Sequence, residues 1–597
     1  MKKIHKLLII PVVILFVLHA CTDGFEDINK NPNKTEVTEP EYIFGLTPVA
    51  TLKVLSSNSN WFFFGNYTNQ LSVVGGGGPH FGKDGRSDGL WQNLYVQGLN
   101  PLFKIVNDYG DNPAYSHRVA IAKIWRSYIF SQLVAMWGPV PYTHACNEGP
   151  YMKYDDEATI YRGILAELKE AYTALAQDAI SEKDTYPVEA EPFLGSDITK
   201  WSKFAHCIRL RVAFRIAEVE ESVAPGLAAE ARAIMKEEFE NAEKGLLISS
   251  NAENFFMQFQ QDTENSNPFF REVTNHPDIK VVEPGNFPVI HESLIMWMQP
   301  KTYNDPCIGK YMKKGDGGTK KNPFPEYFGR PYANGQPQGY QWPTGKTNPY
   351  DAPTLYDNFS TVYRDFAGQT AQFPFFTYPE IVYMKADAKY RGTWEGPKTA
   401  EEYYYELIDA RCNRFEAKAA DVTRYKDFPG IKWSTPSDTI TRVDPEDEDE
   451  LLVDRDAFRD FLGLTDSYLG GAEDNYKRIV VQGWLNFFFQ GVDCWTLLRR
   501  TQVMNFKPHW NADTSTGYVS GTYAYMPHRL AYPDAERARN TSETQAAIDN
   551  LLLDNTLKDP LDQIPFKLIF AKDNPGLMSV PMNGGLVSFP NTARNRR

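Results

Sequence analysis

Several runs in this chain carry residue types that could do chemistry, and most of them fail on spacing. Gly77 to Lys83 reads GxxxxGK behind the apolar Leu71-Ser72-Val73-Val74. A phosphate-binding loop needs Ser or Thr after the Lys to hold Mg²⁺, and here Asp84 would set a carboxylate against the phosphates. His291-Glu292 has no second His four places after the first, and no Ser or Cys lies in a nucleophile elbow. The acidic run Asp444 to Glu450 lacks the ligand spacing and turn glycine of a calcium loop and reads as a solvated surface loop. Cys146, Cys207, Cys307, Cys412 and Cys494 are far apart with no Cys-x-x-Cys, so they read as buried small hydrophobes rather than metal ligands. No catalytic residue, metal or cofactor is expected. A glycoside hydrolase, which needs two carboxylates about 5 to 10 Å apart across a cleft, stays open as an alternative in a chain with 76 acidic residues.

Binding chemistry fares better. Aromatic residues reach 14%, more than a core needs, and they interleave with polar side chains in two stretches. The first, Gly75 to Trp91, carries His80, Phe81, Asp84, Arg86 and Trp91; the second, Tyr303 to Trp342, carries Tyr303, Tyr332, Tyr340 and Trp342. The C–H face of a pyranose packs on an apolar ring while neighbouring Asp, Arg or Asn groups bond its hydroxyls. Phe81, Trp91 and Trp342 are the candidates for stacking, and Asp84 and Arg86 for hydrogen bonds. Trp91 also opens a helical pattern, so packing in the core is an equal reading for it. Nucleic acid is excluded as a partner by the net charge of −14, with no basic stripe to reverse it at one face.

The elements that must position these stretches are helical. From Val119 to Trp137 almost no polar face remains, which predicts a central helix covered on most sides, with Ile121 to Trp137 as its buried part. Gly138, Pro139 and Pro141 stop it. Ile160, Ile164, Leu168, Ala171, Tyr172 and Leu175 then recur at helical spacing, with Asp155, Asp156 and Glu157 in the first turn, where they complement the dipole. Thr199 is a plausible N-cap for a helix through Trp201, Phe204, Ile208, Val212 and Ile216, whose Arg209, Arg211 and Arg215 read as buried arginines paired with carboxylates. Gly226 to Lys244 predicts a further helix. The fold class is mainly α, with tetratricopeptide-like helix pairs and long irregular loops forming a ligand-binding face, although no strict 34-residue consensus repeats. Residues 250 to 375, dense in Pro, Gly, Asn and aromatics, are the loop-rich part and the place to expect function.

The start of the chain reads as a lipoprotein signal over residues 1–20: a basic opening, twelve apolar residues from Leu7 to Leu18, then Leu18-His19-Ala20-Cys21. Twelve residues are too few to span a bilayer as a helix, and Cys21 directly after the cut is the residue for lipidation. Losing Lys2, Lys3 and Lys6 with that segment takes the net charge to −17. Residues 21–40 then form a polar tether, and residues 41–597 one domain.

Ala135-Met136-Trp137-Gly138-Pro139-Val140-Pro141-Tyr142, followed by Tyr154-Asp155 and Ile160-Tyr161-Arg162-Gly163-Ile164-Leu165, resembles the signature of the SusD/RagB family. The opening Asn29-Lys30-Asn31-Pro32-Asn33, the helix Trp201 to Ile216, Asn304-Asp305-Pro306 and Thr377 to Ala388 are similar to further motifs of that family, as are Gln482-Gly483-Trp484 through Arg499-Arg500-Thr501 and Pro527 to Asn540. Cys307 stands where the family usually has Arg after Asp-Pro, which puts that residue's role in doubt. The resemblance implies a lipid-anchored protein of the cell outer membrane, facing outward. It would bind a nutrient oligosaccharide, or in some members a peptide, and deliver it to a SusC-like TonB-dependent transporter. The family places its ligand on loops from the two stretches named above.

Overall fold

The structure is a computed structural model and describes residues 38–56, 63–73, 85–146, 151–261, 265–273, 288–299, 304–314, 327–330, 359–428, 430–434, 474–504, 528–551, 567–572, 580–582 and 585–587. Helices dominate. After Pro40–Phe44 come α1 (Leu46–Ser56), α2 (Gly85–Gln92), a π-helical continuation over Asn93–Leu99, and α3 (Asn100–Tyr109). The central helix is α4 (Ser116–Trp137), in which all residues but Ser116, Lys123 and Arg126 are buried. It is apolar nearly all round because helices cover it nearly all round, as its sequence predicts. Trp125 at its middle is ringed by Tyr128, Phe193, Trp201, Phe204 and Phe375, with centroids 5.1 to 6.2 Å away.

Helix α5 (Glu157–Leu175) lies on α4, and α6 (Ile198–Ile216) and α7 (Leu227–Glu243) continue the pairing. The polar exceptions on α4 face α5: Lys123 Nζ bonds Glu170 at 2.7 Å, and Arg126 pairs with Glu167. Asp156 caps α5 by accepting from the Thr159 N–H at 2.8 Å. Asp155 stays outside the helix and bridges to Val140. Helix α6 starts earlier than Thr199 suggests, because the Asp197 carboxylate accepts from the Lys200 N–H at 3.1 Å and so takes the cap. A second set of helices packs in the C-terminal half: α8 (Tyr378–Tyr390) against α9 (Ala400–Arg414), which opens on a Thr399/Glu402 capping box. Helix α10 (Asn475–Asn486) packs on both, and α11 (Gly491–Thr501) follows it and reaches α4. One apolar core runs through all of these, from Phe44 to Ala571.

The arginines of α6 are structural, as their positions in an apolar pattern imply. Arg211 pairs with Glu380 at 2.5 Å and Asp493 at 3.1 Å, Arg215 reaches Asp493 at 3.3 Å, and Arg209 pairs with Glu237 at 3.0 Å and with Glu238. They tie α6 to α7, α8 and α11.

Strands are short and were not legible in the loop-rich stretch. A four-stranded sheet has the order β1 (Leu71–Val73), β3 (Pro288–Ile290), β5 (Thr361–Val362), β4 (Met312–Lys313), with every neighbouring pair antiparallel. Separately, β2 (Phe255–Met257) pairs with β6 (Phe373–Phe376), and β7 (Val580–Met582) with β8 (Gly585–Val587).

Candidate functional site

Two structural nodes bear on the site. The first is the corner after α4. Gly138 adopts φ 83°, ψ −124°, and a Cβ there would lie 2.7 Å from Leu568 Cδ2, so only glycine fits. The last carbonyls of α4 cannot be paired within the helix, and distant residues satisfy them: Arg499 Nη1 donates to Ala135 O at 2.8 Å, Leu530 N to Met136 O at 2.7 Å, and Arg529 Nε to Trp137 O at 3.2 Å. Trp137 Nε1 in turn donates to Ala531 O at 2.9 Å, and Tyr532 OH to Pro139 O at 2.5 Å. Motifs more than 350 residues apart in sequence therefore meet here because each completes the other's hydrogen bonding.

A cleft of about 520 Å³ opens beside the corner, lined by Tyr154, Asp155, Glu157, Glu543 and Ile569 among others. Its acids are already engaged. Asp155 accepts from the N–H groups of Tyr142 at 3.1 Å and Thr143 at 2.8 Å. Glu157 faces the Ile569 N–H at 3.2 Å, and burial pushes its carboxyl up to about 8. These are the contacts of a structural joint. Among the described residues no group of His, Cys, Asp and Glu side chains is arranged to hold a metal ion.

The second node is the four-stranded sheet. Its register sets Leu71 opposite Ile290 and Val73 opposite Pro288, with Thr361 opposite both Val289 and Lys313. Phe328–Arg330 joins it, with Arg330 N donating to Ile290 O at 2.9 Å and Ser360 N to Phe328 O at 2.7 Å. The sheet is fastened to α10: Gln70 Nε2 donates to Trp484 O at 2.7 Å, Tyr311 OH to Leu485 O at 2.8 Å, and Trp484 Nε1 to Thr68 O at 2.9 Å. Val73 leads into residues 74–84, Lys314 leads into residues 315–326, and residues 331–358 return at Phe359. At about 3.3 Å per residue, strands this short keep their opposite ends within about 10 Å. One sheet thus gathers the stems of both stretches that the sequence singles out.

Below the sheet, Asp305 and Arg411 form a fully buried ion pair at 2.6 Å, and Arg411 Nε also donates to Gln482 Oε1 at 2.9 Å. Burial works against the Arg411 charge, but Asp305 outweighs it and holds the guanidinium well above its ordinary range. The cation for Asp305 comes from α9. Cys307 itself is buried, its N–H donating to Asp305 Oδ1 at 2.8 Å. A hydrogen bond with Cys412, reinforced by burial, pushes its thiol well above the usual value. Arg411 was missed in the sequence, although an arginine four residues after Leu407 on an apolar stripe is a signal of a buried, paired cation.

Of the predicted ligand-binding residues, His80, Phe81, Asp84, Tyr303, Tyr332, Tyr340 and Trp342 lie outside the described residues, as does Cys21. The phosphate-loop-like run Gly77 to Lys83 and the acidic run Asp444 to Glu450 lie outside them too. Arg86 falls on α2, two residues from its start. Trp91 is corrected as a stacking surface. It is only 8% exposed and packs against Tyr95, Trp137, Tyr154 and Tyr532, with centroids 4.8 to 6.3 Å away. Its ring faces are spent on the corner.

The family model described as "Starch-binding associating with outer membrane", SusD-like, matches residues 82–533. The chain belongs to the SusD-like family. Solved structures agree on the fold at low identity. A SusD homolog from Bacteroides uniformis is 18% identical with a TM-score of 0.65, covering 90% of this chain and 100% of that one. A SusD homolog from Parabacteroides distasonis is 15% identical with a TM-score of 0.68, over 90% and 98% of the two chains. A protein named as chitin-binding is 20% identical with a TM-score of 0.63, over 89% and 100%. No curated protein matches the chain. The family's description is one of binding, which favours a binding role over the glycoside hydrolase alternative. No helix among the described residues is long and apolar enough to cross a membrane.

Proposed function

We propose that this SusD-like protein is an outward-facing lipoprotein of the outer membrane, anchored through Cys21, that binds a nutrient oligosaccharide and hands it to a SusC-like TonB-dependent transporter. The observation that carries the reading is the sheet that gathers the stems of residues 74–84, 315–326 and 331–358. Aromatic and polar side chains on those stretches, with Arg86 and Tyr303 flanking them in sequence, have the chemistry a sugar needs: Phe81 and Trp342 for stacking, His80, Asp84 and Arg86 for hydroxyls, and Tyr303, Tyr332 and Tyr340 as further candidates. The family description names starch and two structural relatives are named for chitin, so soluble glucans and chitin oligosaccharides are the first ligands to try.

Affinity measured against a panel of glycans and peptides tests the reading. Phe81→Ala and Trp342→Ala should each weaken binding of the panel's best ligand by about 1 to 3 kcal/mol, as loss of an anchor does, with an unchanged melting temperature. If both variants bind as tightly as the parent, the site lies elsewhere; if only peptides bind, the oligosaccharide assignment is wrong. Cys21→Ala should abolish fatty-acid labelling, and labelling that persists would refute the anchor.

A further inference from the structure

The helical segment nearest the tether is apolar on its outer side as well as its inner one. Pro40–Phe44 and α1 are joined by Gly45 at φ −56°, ψ −25°, so the chain continues in helical conformation through both. Phe44, Pro48, Ala50, Leu52, Val54 and Leu55 are buried. Opposite them, at spacings of four and three, stand Tyr42, Leu46 and Val49, which are 74%, 70% and 46% exposed, and Lys53 is next on the same stripe. The nearby carboxylates turn inward, Glu39 accepting from Tyr115 OH at 2.9 Å and Glu41 pairing with Arg118 at 2.5 Å. A helix with apolar residues on every side is one that is covered on every side, and a contiguous outward apolar stripe marks a contact surface.

We infer that this stripe docks on the surface of the bilayer leaflet that holds the lipid anchor. The inference rests on the proposed lipidation of Cys21. Residues 22–37 connect Cys21 to Thr38 and, at about 3.3 to 3.6 Å per residue, reach at most about 58 Å. The stripe begins four residues beyond, so among the described exposed apolar side chains it is the group nearest the anchor along the chain. Three apolar side chains are too few to bring a protein to a membrane from solution. An anchor makes the second contact intramolecular, at an effective concentration on the order of millimolar, and a weak apolar face then suffices. The net charge of −17 in the processed chain argues that docking is apolar rather than electrostatic, so anionic lipid should weaken it.

The test uses the lipidated full chain, reconstituted into phosphatidylcholine vesicles, with a nitroxide on Leu46→Cys or Val49→Cys in a Cys146→Ser background and on Glu395→Cys as an exposed reference. Vesicle flotation is measured alongside collision rates with oxygen and with an aqueous nickel chelate. Labels at 46 and 49 should gain oxygen contact and lose nickel contact several-fold relative to 395 when vesicles are present, with an unchanged melting temperature. Labels that stay as aqueous as position 395 in protein that floats overturn the docking and leave the anchor standing. Protein that does not float shows the anchor itself to be absent, and the docking falls with it. Labels shielded equally in detergent by a co-purifying protein overturn the bilayer as occupant in favour of a protein partner.

Discussion

The corner after α4 and the four-stranded sheet solve opposite problems with the same currency of backbone hydrogen bonds. At the corner, three helix-end carbonyls and the Pro139 carbonyl are all taken by residues 499 to 532, and the side chains between them are buried. None of these carbonyls is left over for a ligand. At the sheet, strands of two or three residues use their few bonds to hold the ends of long stretches, and Trp484 and Leu485 of α10 fasten the sheet to the helices. Trp91 shows the difference in one residue: it belongs by sequence to the candidate stretch and by packing to the corner. On the function proposed above, rigidity and recognition fall to separate nodes of one fold.

That separation is open to breaking from several sides. The largest loss should come from Trp125→Asp, which puts a charge into the aromatic ring at the middle of α4; a cost of several kcal/mol should unfold the protein, and a melting temperature like the parent's would reject α4 as the centre. Asp305→Ala should cost about 3 to 5 kcal/mol by stranding the Arg411 charge, read by chemical denaturation. Adding Arg411→Met should recover much of that loss, and failure to do so would mean that the ion pair is not the reason for it. Trp91→Ala should cost about 3 to 5 kcal/mol as a core truncation. That stability loss would contrast with Trp342→Ala, whose effect is expected in binding alone; the reverse pattern would exchange the two roles.

The last test is one of pH and concerns Glu157. Its folded carboxyl titrates near 8 against an ordinary 4.5, so the folded state holds a proton that the unfolded state has released between these values. The protein should therefore lose stability as pH rises from about 4.5 toward 8, by at most about 1.4 kcal/mol per pH unit from this group. Glu157→Gln, neutral and of the same shape, should flatten the dependence in denaturation curves taken at several pH values. A profile unchanged by the substitution would show that the carboxylate is already charged in the fold.

Sequence reading succeeded where a side chain repeats its environment. Ile121 to Trp137 and Ile160 to Leu175 declare their helices through apolar spacing, and the arginines at 209, 211 and 215 declare their burial by sitting in such a pattern. It failed on β1, β3, β4 and β5, because two or three residues are too short to show an alternation, and their pairing depends on partners 48 to 219 residues away. The cap of α6 was misplaced because Asp197 and Thr199 are equally good acceptors on paper, and only the backbone path chooses. Trp91 was undecidable by type, since a ring that stacks on sugar and a ring that fills a core are the same ring.

The capping of α4 by residues 499, 529 and 530 also sets an order in time. A chain still being made has no partner for the carbonyls of Ala135, Met136 and Trp137 until nearly 400 further residues exist. Buried without a donor, each would cost about 1 to 3 kcal/mol, so the end of the most buried helix stays frayed and wet until late. Contacts of such long sequence separation close slowly. Fragments that stop before Arg499 should therefore carry α4 as an unfinished helix, and the step that completes it should be among the last of folding.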